Sequence, residues 1–312
     1  MLSLPGGINL YDSLQGNCLM VQGVASGVGK SLLATALCRI LVQDGFLVAP
    51  FKAWNMALSS YTTAGGLEIG WAQGIQAEAA MIDATGHMNP FLLKPRGGGQ
   101  TEIIIRGEPQ KGDARKIMDS LPDGPWPVIS ASLEHLRKRF DVVIIEGAGS
   151  PAEINLKDRD LANMGVARLA KAPVLLTADI DRGGALAALV GSLALLDSEE
   201  NMHIAGFVIN KFRGDFDILR PGLDVVEEIT GKPVLGVIPH IPRLSLGEED
   251  SVGVPKTDTV TEREAFNQPA NELGTADARA RDDELDRVAA VVRASLDMGK
   301  IYDLIKKGMK LY

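Results

Sequence analysis

Cysteine, histidine and excess positive charge are all scarce in this chain of 312 residues, and each scarcity excludes something. Only two cysteines occur, Cys18 and Cys38, and both fall in apolar-patterned segments. That is the usage of buried thiols in a reducing cytosol, not of a disulfide framework. The four histidines, His87, His135, His203 and His240, lack the close spacing of zinc ligands. Lys and Arg total 32 against 40 Asp and Glu, giving a net charge of −8. No cationic surplus is available to displace the counterions of a nucleic acid. The longest apolar run, Ala185 to Leu196, is too short to span a bilayer, and the first residues lack the basic-then-apolar order of a signal peptide. The expectation is a cytoplasmic protein that takes neither nucleic acid nor membrane as a partner. With 46% hydrophobic and 23% charged residues, the composition is that of an ordinary globular protein. Its length suits one large α/β domain with an appendage, or two small domains.

What the chain does have is Gly23-Val24-Ala25-Ser26-Gly27-Val28-Gly29-Lys30-Ser31. An apolar run, Cys18 to Val21, precedes it, and the periodic apolar residues Leu32, Leu33, Ala36, Leu37, Ile40 and Leu41 follow. The order reads as strand, glycine loop, helix. In that context backbone N–H groups and a helix N-terminus converge on anionic oxygens. Ser26, Gly27, Val28 and Gly29 would cradle phosphates, Lys30 would reach the β/γ-phosphates, and Ser31 would ligand Mg²⁺. Gly23 stands one residue further from Gly29 than the strict phosphate-loop spacing. A glycine turn with an accidental Gly-Lys-Ser is the bland alternative.

Further strands are expected at 46–51, 101–106, 141–146, 173–178, 204–209 and 234–238. Helices are expected at 68–82, 133–140, 158–170, up to Leu196, and 221–230 with Gly231 as its stop. Residues 1–15 read as an irregular lead-in, 57–65 as a loop and 96–99 as a flexible loop. Near-continuous apolar strands alternating with helices predict an α/β fold of P-loop NTPase type. Its mostly parallel sheet would be flanked by helices on both faces, with a C-terminal helical appendage. Ligands bind such sheets at the strands' carboxyl ends, where the glycine-rich and charged motifs fall. The domain reading is 1–253 for the nucleotide-binding unit, 254–283 for a solvated linker and 284–312 for a final helix. That helix carries an apolar stripe of Leu285, Val288, Ala289, Val292 and Leu296. The stripe would dock on the domain or on a second copy, and a homodimer is the expected assembly.

Several strand ends carry candidate chemistry. Glu146 closes an apolar strand and would hold Mg²⁺ with Ser31, or else cap a helix. Asp179 and Asp181 could ligand a cation or orient an attacking group, and Arg182 could neutralise a transferred phosphoryl. An N-cap role would explain Asp181 alone. Lys52 could touch an acyl or phosphate group, or be a solvated charge. Asn210-Lys211 begins like the guanine-reading Asn-Lys-x-Asp signature, but position 213 is Arg, so adenine is favoured. Of the three tryptophans, Trp54 could floor a flat pocket, although core or rim is the common use of such residues.

Together these motifs resemble the synthetase domain of the cobyric acid synthase family. The likeness rests on Gly23 to Ser31, Pro50 to Ala53 with Asn55-Met56, and Met88-Asn89-Pro90 with Leu92 to Pro95. It extends through Glu146 to Leu156, Asp179 to Gly184 and Asn210 to Asp215, across roughly residues 17–253. The longer phosphate loop matches relatives of dethiobiotin synthetase. The resemblance implies ATP and Mg²⁺ as cofactors and a corrinoid or related tetrapyrrole carboxylate as substrate, activated as an acyl phosphate and converted to an amide. Lys52, Trp54, Asn55 and Arg182 would lie at the substrate. The family continues into a glutamine amidotransferase domain with a Cys nucleophile in a glycine-flanked turn. Neither Cys18 nor Cys38 sits in such a turn, so ammonia would come from solution or from a separate glutaminase. Trp54 and Ser59 stand where the family has Gln and Asn, and Gly70-Trp71 replaces Gly-Arg. A non-catalytic tetrapyrrole carrier or regulator, and a ligase like dethiobiotin synthetase, are the alternatives.

Overall fold

The computed structural model describes residues 16–96, 100–242, 244 and 275–308. Six parallel strands form the main sheet: β1 (Asn17–Gly23), β2 (Val48–Phe51), β9 (Val142–Glu146), β10 (Val174–Asp179), β11 (Ile204–Phe212) and β12 (Val234–Pro239). Their order is β12-β11-β10-β1-β9-β2. β1 is central, and the crossovers run to opposite sides of it. The crevice at its carboxyl end is therefore the switch point where such sheets take ligands.

Alternate side chains of each strand feed two cores. Leu19 and Val21 of β1 pack with α1 (Lys30–Gln43) and α2 (Trp71–Ala79). Cys18 and Met20 point the other way, toward α4 (Trp126–Arg137), α5 (Met164–Ala170), α6 (Ala185–Leu195) and α8 (Phe216–Thr230). The expected α/β architecture is the one observed. α8 opens on Asp215 and ends at Gly231, whose φ of +66° suits glycine at a helix stop.

A second sheet, β3 (Trp54–Met56), β6 (Phe91–Arg96), β7 (Gln100–Ile105) and β8 (Glu108–Pro109), forms beside the first and ends in a short helix, α3 (Ala114–Asp119). The stretch 57–65 is not all loop. β4 (Ser60–Thr62) pairs antiparallel with β5 (Glu68–Gly70), so the helix read from 68 starts only at Trp71. Lys94 holds this hairpin by reaching Ser60 Oγ at 3.0 Å and Glu68 at 2.6 Å. The helix read at 133–140 begins earlier, at Trp126 behind Pro125. The one read at 158–170 divides into a 3₁₀ stretch, Ile154–Arg159, and α5. A further helix, α7 (Ser198–His203), has no sequence expectation. Asp197 and Glu200 cap it reciprocally, a signal that six residues of periodicity could not give.

The C-terminal reading needs the largest correction. Helix Thr275–Ser295 begins inside the stretch read as linker, and Leu296-Asp297 separate it from a second helix, Met298–Lys307. The lead-in 1–15, glycines 97–99 and the linker stretch 254–274 lie outside the described residues. The stripe Leu285, Val288, Ala289, Val292 and Leu296 joins the core that contains α1, together with Ile301 and Ile305. Around it Arg39 of α1 pairs with Asp282 and Asp286 at 2.8 and 2.6 Å, and Arg293 pairs with Asp44 at 2.8 Å. The stripe is therefore docked on its own domain, which removes the argument that it drives dimerisation. Replacing the fully buried Ile301 by Ala is expected to cost about 2–5 kcal/mol of unfolding free energy in urea titrations. A detached appendage would show no such loss.

Candidate functional site

The turn from Gly23 to Lys30 wraps the carboxyl end of β1. Gly29 precedes α1 with φ of +96°, and a Cβ there would lie 1.9 Å from Asn210 Nδ2. Only glycine satisfies both conditions. Asn210 Nδ2 donates to Val28 O at 2.9 Å, and Lys211 Nζ donates to Gly27 O at 2.9 Å. Arg182 Nη1 donates to Ser26 O at 3.4 Å. The end of β11 and the segment that follows β10 thus hold the glycine turn from outside. Lys30 Nζ folds back over it, donating to Ala25 O at 3.1 Å and to Gly149 O at 3.4 Å. No acidic residue lies in the first turn of α1, so its N-terminus keeps the positive end of the dipole open to an anion.

Glu146 ends β9 with no solvent exposure. Its Oε1 accepts from Ser31 Oγ at 2.8 Å and from Lys52 Nζ at 2.9 Å. Its Oε2 accepts from Gln76 Nε2 at 2.5 Å. Lys52, itself almost wholly buried, follows β2 and has its main chain fixed on both sides. Its N–H donates to Met88 O at 2.8 Å, and its carbonyl accepts from Asn89 Nδ2 at 2.9 Å. Ser31 and Glu146 present hard oxygens 2.8 Å apart, the donor type that suits Mg²⁺, and phosphate oxygens and water normally complete its shell. The donor set fits. Among the described residues no group of three or more His, Cys, Asp or Glu could hold a metal unaided.

The acidic pair is split. Asp179 is buried and faces Lys211 at 3.3 Å and Arg182 at 3.5 Å. Asp181 is half exposed and lies 3.6 Å from Arg213. α6 starts only at Ala185 behind Gly184, so Asp181 is not its cap. Asn55 is buried and donates to Gln73 Oε1 at 3.2 Å. Trp54 stacks at a tilt on Phe91, 5.6 Å between ring centres, and lines a cleft of about 1250 Å³. Trp126, Met118 and the turn Ala148-Gly149-Ser150 share that cleft, whereas Trp71 is in the core.

Sequence reasoning gave no site role to Gln73, Gln76 or Asn163, and quoted Asn89 only within a family motif. Asn163 clasps the turn after β9, accepting from Ala148 N at 3.1 Å and donating to Ala148 O at 2.6 Å. Polar residues of this kind act through contacts across the fold, and their spacing in the chain gives no signal. His87 and His135, 48 residues apart in sequence (135 − 87), stack face to face at 3.8 Å. Neither thiol is nucleophilic near neutral pH. Burial pushes Cys18 up to about 12, and burial followed by the Glu146 charge raises Cys38 as well. Gly29→Ala is expected to expel Asn210 from Val28 O and to lower stability by more than about 1 kcal/mol, read as a shift of the urea midpoint.

Residues 19–252 match the family model described as the CobQ/CobB/MinD/ParA nucleotide binding domain. The cobyric acid synthase of Desulforamulus reducens is 56% identical over 237 residues, covering 76% of this chain and 46% of that protein. The probable cobyric acid synthase of Methanothermobacter thermautotrophicus is 51% identical over 242 residues, 77% of this chain and 48% of that one. The chain thus spans about half the length of these relatives. Among solved structures, the 54 kDa signal recognition particle protein of Aeropyrum pernix aligns at 16% identity with a TM-score of 0.41, over 91% of this chain and 58% of that one. No helix of the described residues is long and apolar enough to cross a membrane. By sequence, sheet order and the glycine turn at the end of β1, the chain belongs to the CobQ/CobB/MinD/ParA nucleotide-binding domain family.

Proposed function

We propose that this chain is the ATP-using part of an amide ligase that activates carboxylates of a corrinoid or a related tetrapyrrole. One observation carries the reading: Ser31, Lys52 and Glu146 converge within 2.9 Å at the rim of the glycine turn. That gathers a metal-binding oxygen pair and a lysine cation where a γ-phosphate would end. In the proposed reaction a substrate carboxylate oxygen attacks the γ-phosphorus and ADP leaves. Ammonia then attacks the acyl carbon, phosphate leaves, and a proton passes to solvent. A carboxylate oxygen is too poor a leaving group for direct amine attack, and phosphorylation removes that barrier. Ammonia would come from solution or from a separate glutaminase.

Lys30 and the turn's N–H groups would hold the β- and γ-phosphates. Mg²⁺ held by Ser31 and Glu146 would offset charge on the transferred group. Lys52, bonded to Glu146, is the group that would meet the incoming carboxylate or the phosphoryl oxygens. Arg182, next to the turn at Ser26, would add charge from the outer side. Asn210 and Lys211 grip the turn from below, so their part in nucleotide binding is to shape the loop. The cleft beside Trp54 exceeds the usual 300–1,000 Å³ of small-ligand pockets, as a large flat substrate requires. It opens at the turn after β9, whose Gly149 carbonyl takes Lys30.

Incubation with γ-³²P-ATP and a corrinoid acid is expected to label the acid, and added ammonia to yield amide with release of phosphate. Lys30→Ala and Lys52→Met are each expected to slow this by about 10²–10³-fold. Binding of tetrapyrrole and ATP with no labelled acid and no amide would replace the ligase reading with that of a carrier. A product heavier by a carbonyl would indicate chemistry like that of dethiobiotin synthetase.

A further inference from the structure

Two glutamines stand in the driest part of the site, and the roles given to Lys30, Ser31, Lys52 and Glu146 leave them unused. Gln73 and Gln76 are three residues apart on α2, so their amides leave the helix on one side. Both are fully buried, and both point at Glu146 Oε2, at 3.5 and 2.5 Å. Only the Gln76 contact has the length of a strong hydrogen bond. Gln73 spends its carbonyl on Asn55. Among the described residues no donor reaches Gln76 Oε1. An unsatisfied buried acceptor is a cost that an apolar side chain of the same volume would avoid. The neighbours along α2 are Ala, Gly and Ile, so nothing in the helix itself calls for an amide there.

The carboxylate supplies the reason. Rotation of a Glu carboxylate about its last bond is broad and roughly two-fold, and packing alone sets it poorly. Ser31 and Lys52 both sit on Oε1, so without a partner on Oε2 the plane of the group would follow Lys52 wherever that side chain went. We propose that Gln76 is a positioning residue that acts through Glu146. By holding Oε2 it keeps Oε1 turned to Ser31 Oγ, and so sets the oxygen pair that would receive Mg²⁺. This deepens the nucleotide reading above and rests on it. Gln76 touches neither phosphate nor substrate in this role, so its effect belongs to metal affinity and not to the grip of the glycine turn on ATP.

The test is calorimetric titration of the full chain with ATP, once in excess Mg²⁺ and once in EDTA, with melting curves alongside. Wild type is expected to bind ATP more tightly when Mg²⁺ is present. Gln76→Leu is expected to lose about 10–100-fold of that metal-dependent gain with its affinity in EDTA unchanged, while its melting temperature falls because a buried charge loses a hydrogen bond. Gln73→Leu, removing the longer contact, is expected to lose less. If Gln76→Leu does not fold, Gln76→Asn withdraws the donor by one methylene and carries the same expectation. A full metal-dependent gain in the folded variant overturns the proposal. So does an equal loss in EDTA, which would mark Gln76 as structural. Wild type that binds ATP with no gain from Mg²⁺ overturns it while leaving the nucleotide site intact. Wild type that ignores ATP under both conditions removes the nucleotide reading and this inference together.

Discussion

A carboxylate with no access to water is the constraint on which the rest of this molecule turns. An ion stripped of solvent is tolerable only if its oxygens are paired and hydrogen-bonded. Glu146 meets that demand with donors from Ser31, Lys52 and Gln76, drawn from the start of α1, the end of β2 and the middle of α2. Three elements far apart in the sequence are thereby fixed to the tip of β9. Breaking one contact leaves the charge short of a partner, so the cluster holds position as a unit. The same requirement explains why the neighbourhood of Lys52 is so closely determined. Asn89 binds its carbonyl and also accepts from Gly70 N just ahead of α2, which seats the helix that delivers the glutamines.

The legible part of the fold was the part governed by short-range rules. β1, the glycine turn and α1 announce themselves through an apolar run, positive-φ glycines and a 3.6-residue period, and β9 to β12 do so by unbroken apolar stretches. Glu146, Lys30, Ser31 and Lys52 were reachable because they sit at strand ends or in the turn, where open sheets take ligands. What escaped was decided at a distance. Glu68 to Gly70 carries a helical pattern, yet pairing with Ser60 to Thr62 and the Lys94 contacts hold it as strand. Asn163 and Gln73 look like ordinary polar positions until the turn and the carboxylate are brought to them. The start of the C-terminal helix was hidden for a further reason: its first turns are rich in Asp and Arg, and their charge reads as linker until Arg39 and Glu78 are seen to pair with Asp282, Asp286 and Arg281.

Asn210 shows how a motif can be recognised while its use is not. The Asn-Lys pair suggested contact with a base. Its amide instead occupies the space under Gly29, bonded to Val28 O, while Lys211 takes Gly27 O. The end of β11 is thus locked to the turn that follows β1, and β10 lies between them with Asp179 offering its charge to Lys211. The shape of the glycine turn is consequently a property of three strands and not of nine residues.

The C-terminal helices bear on the same turn from behind. They lie along α1, whose first residues are Lys30 and Ser31, and ion pairs at Arg39 and Asp44 fasten them near its far end. α1 is therefore wedged between sheet and tail, with no room to tilt. A molecule captured here would find one side of the opening rigid. The opposite lip is made by Ala148 to Asn163 and the small second sheet.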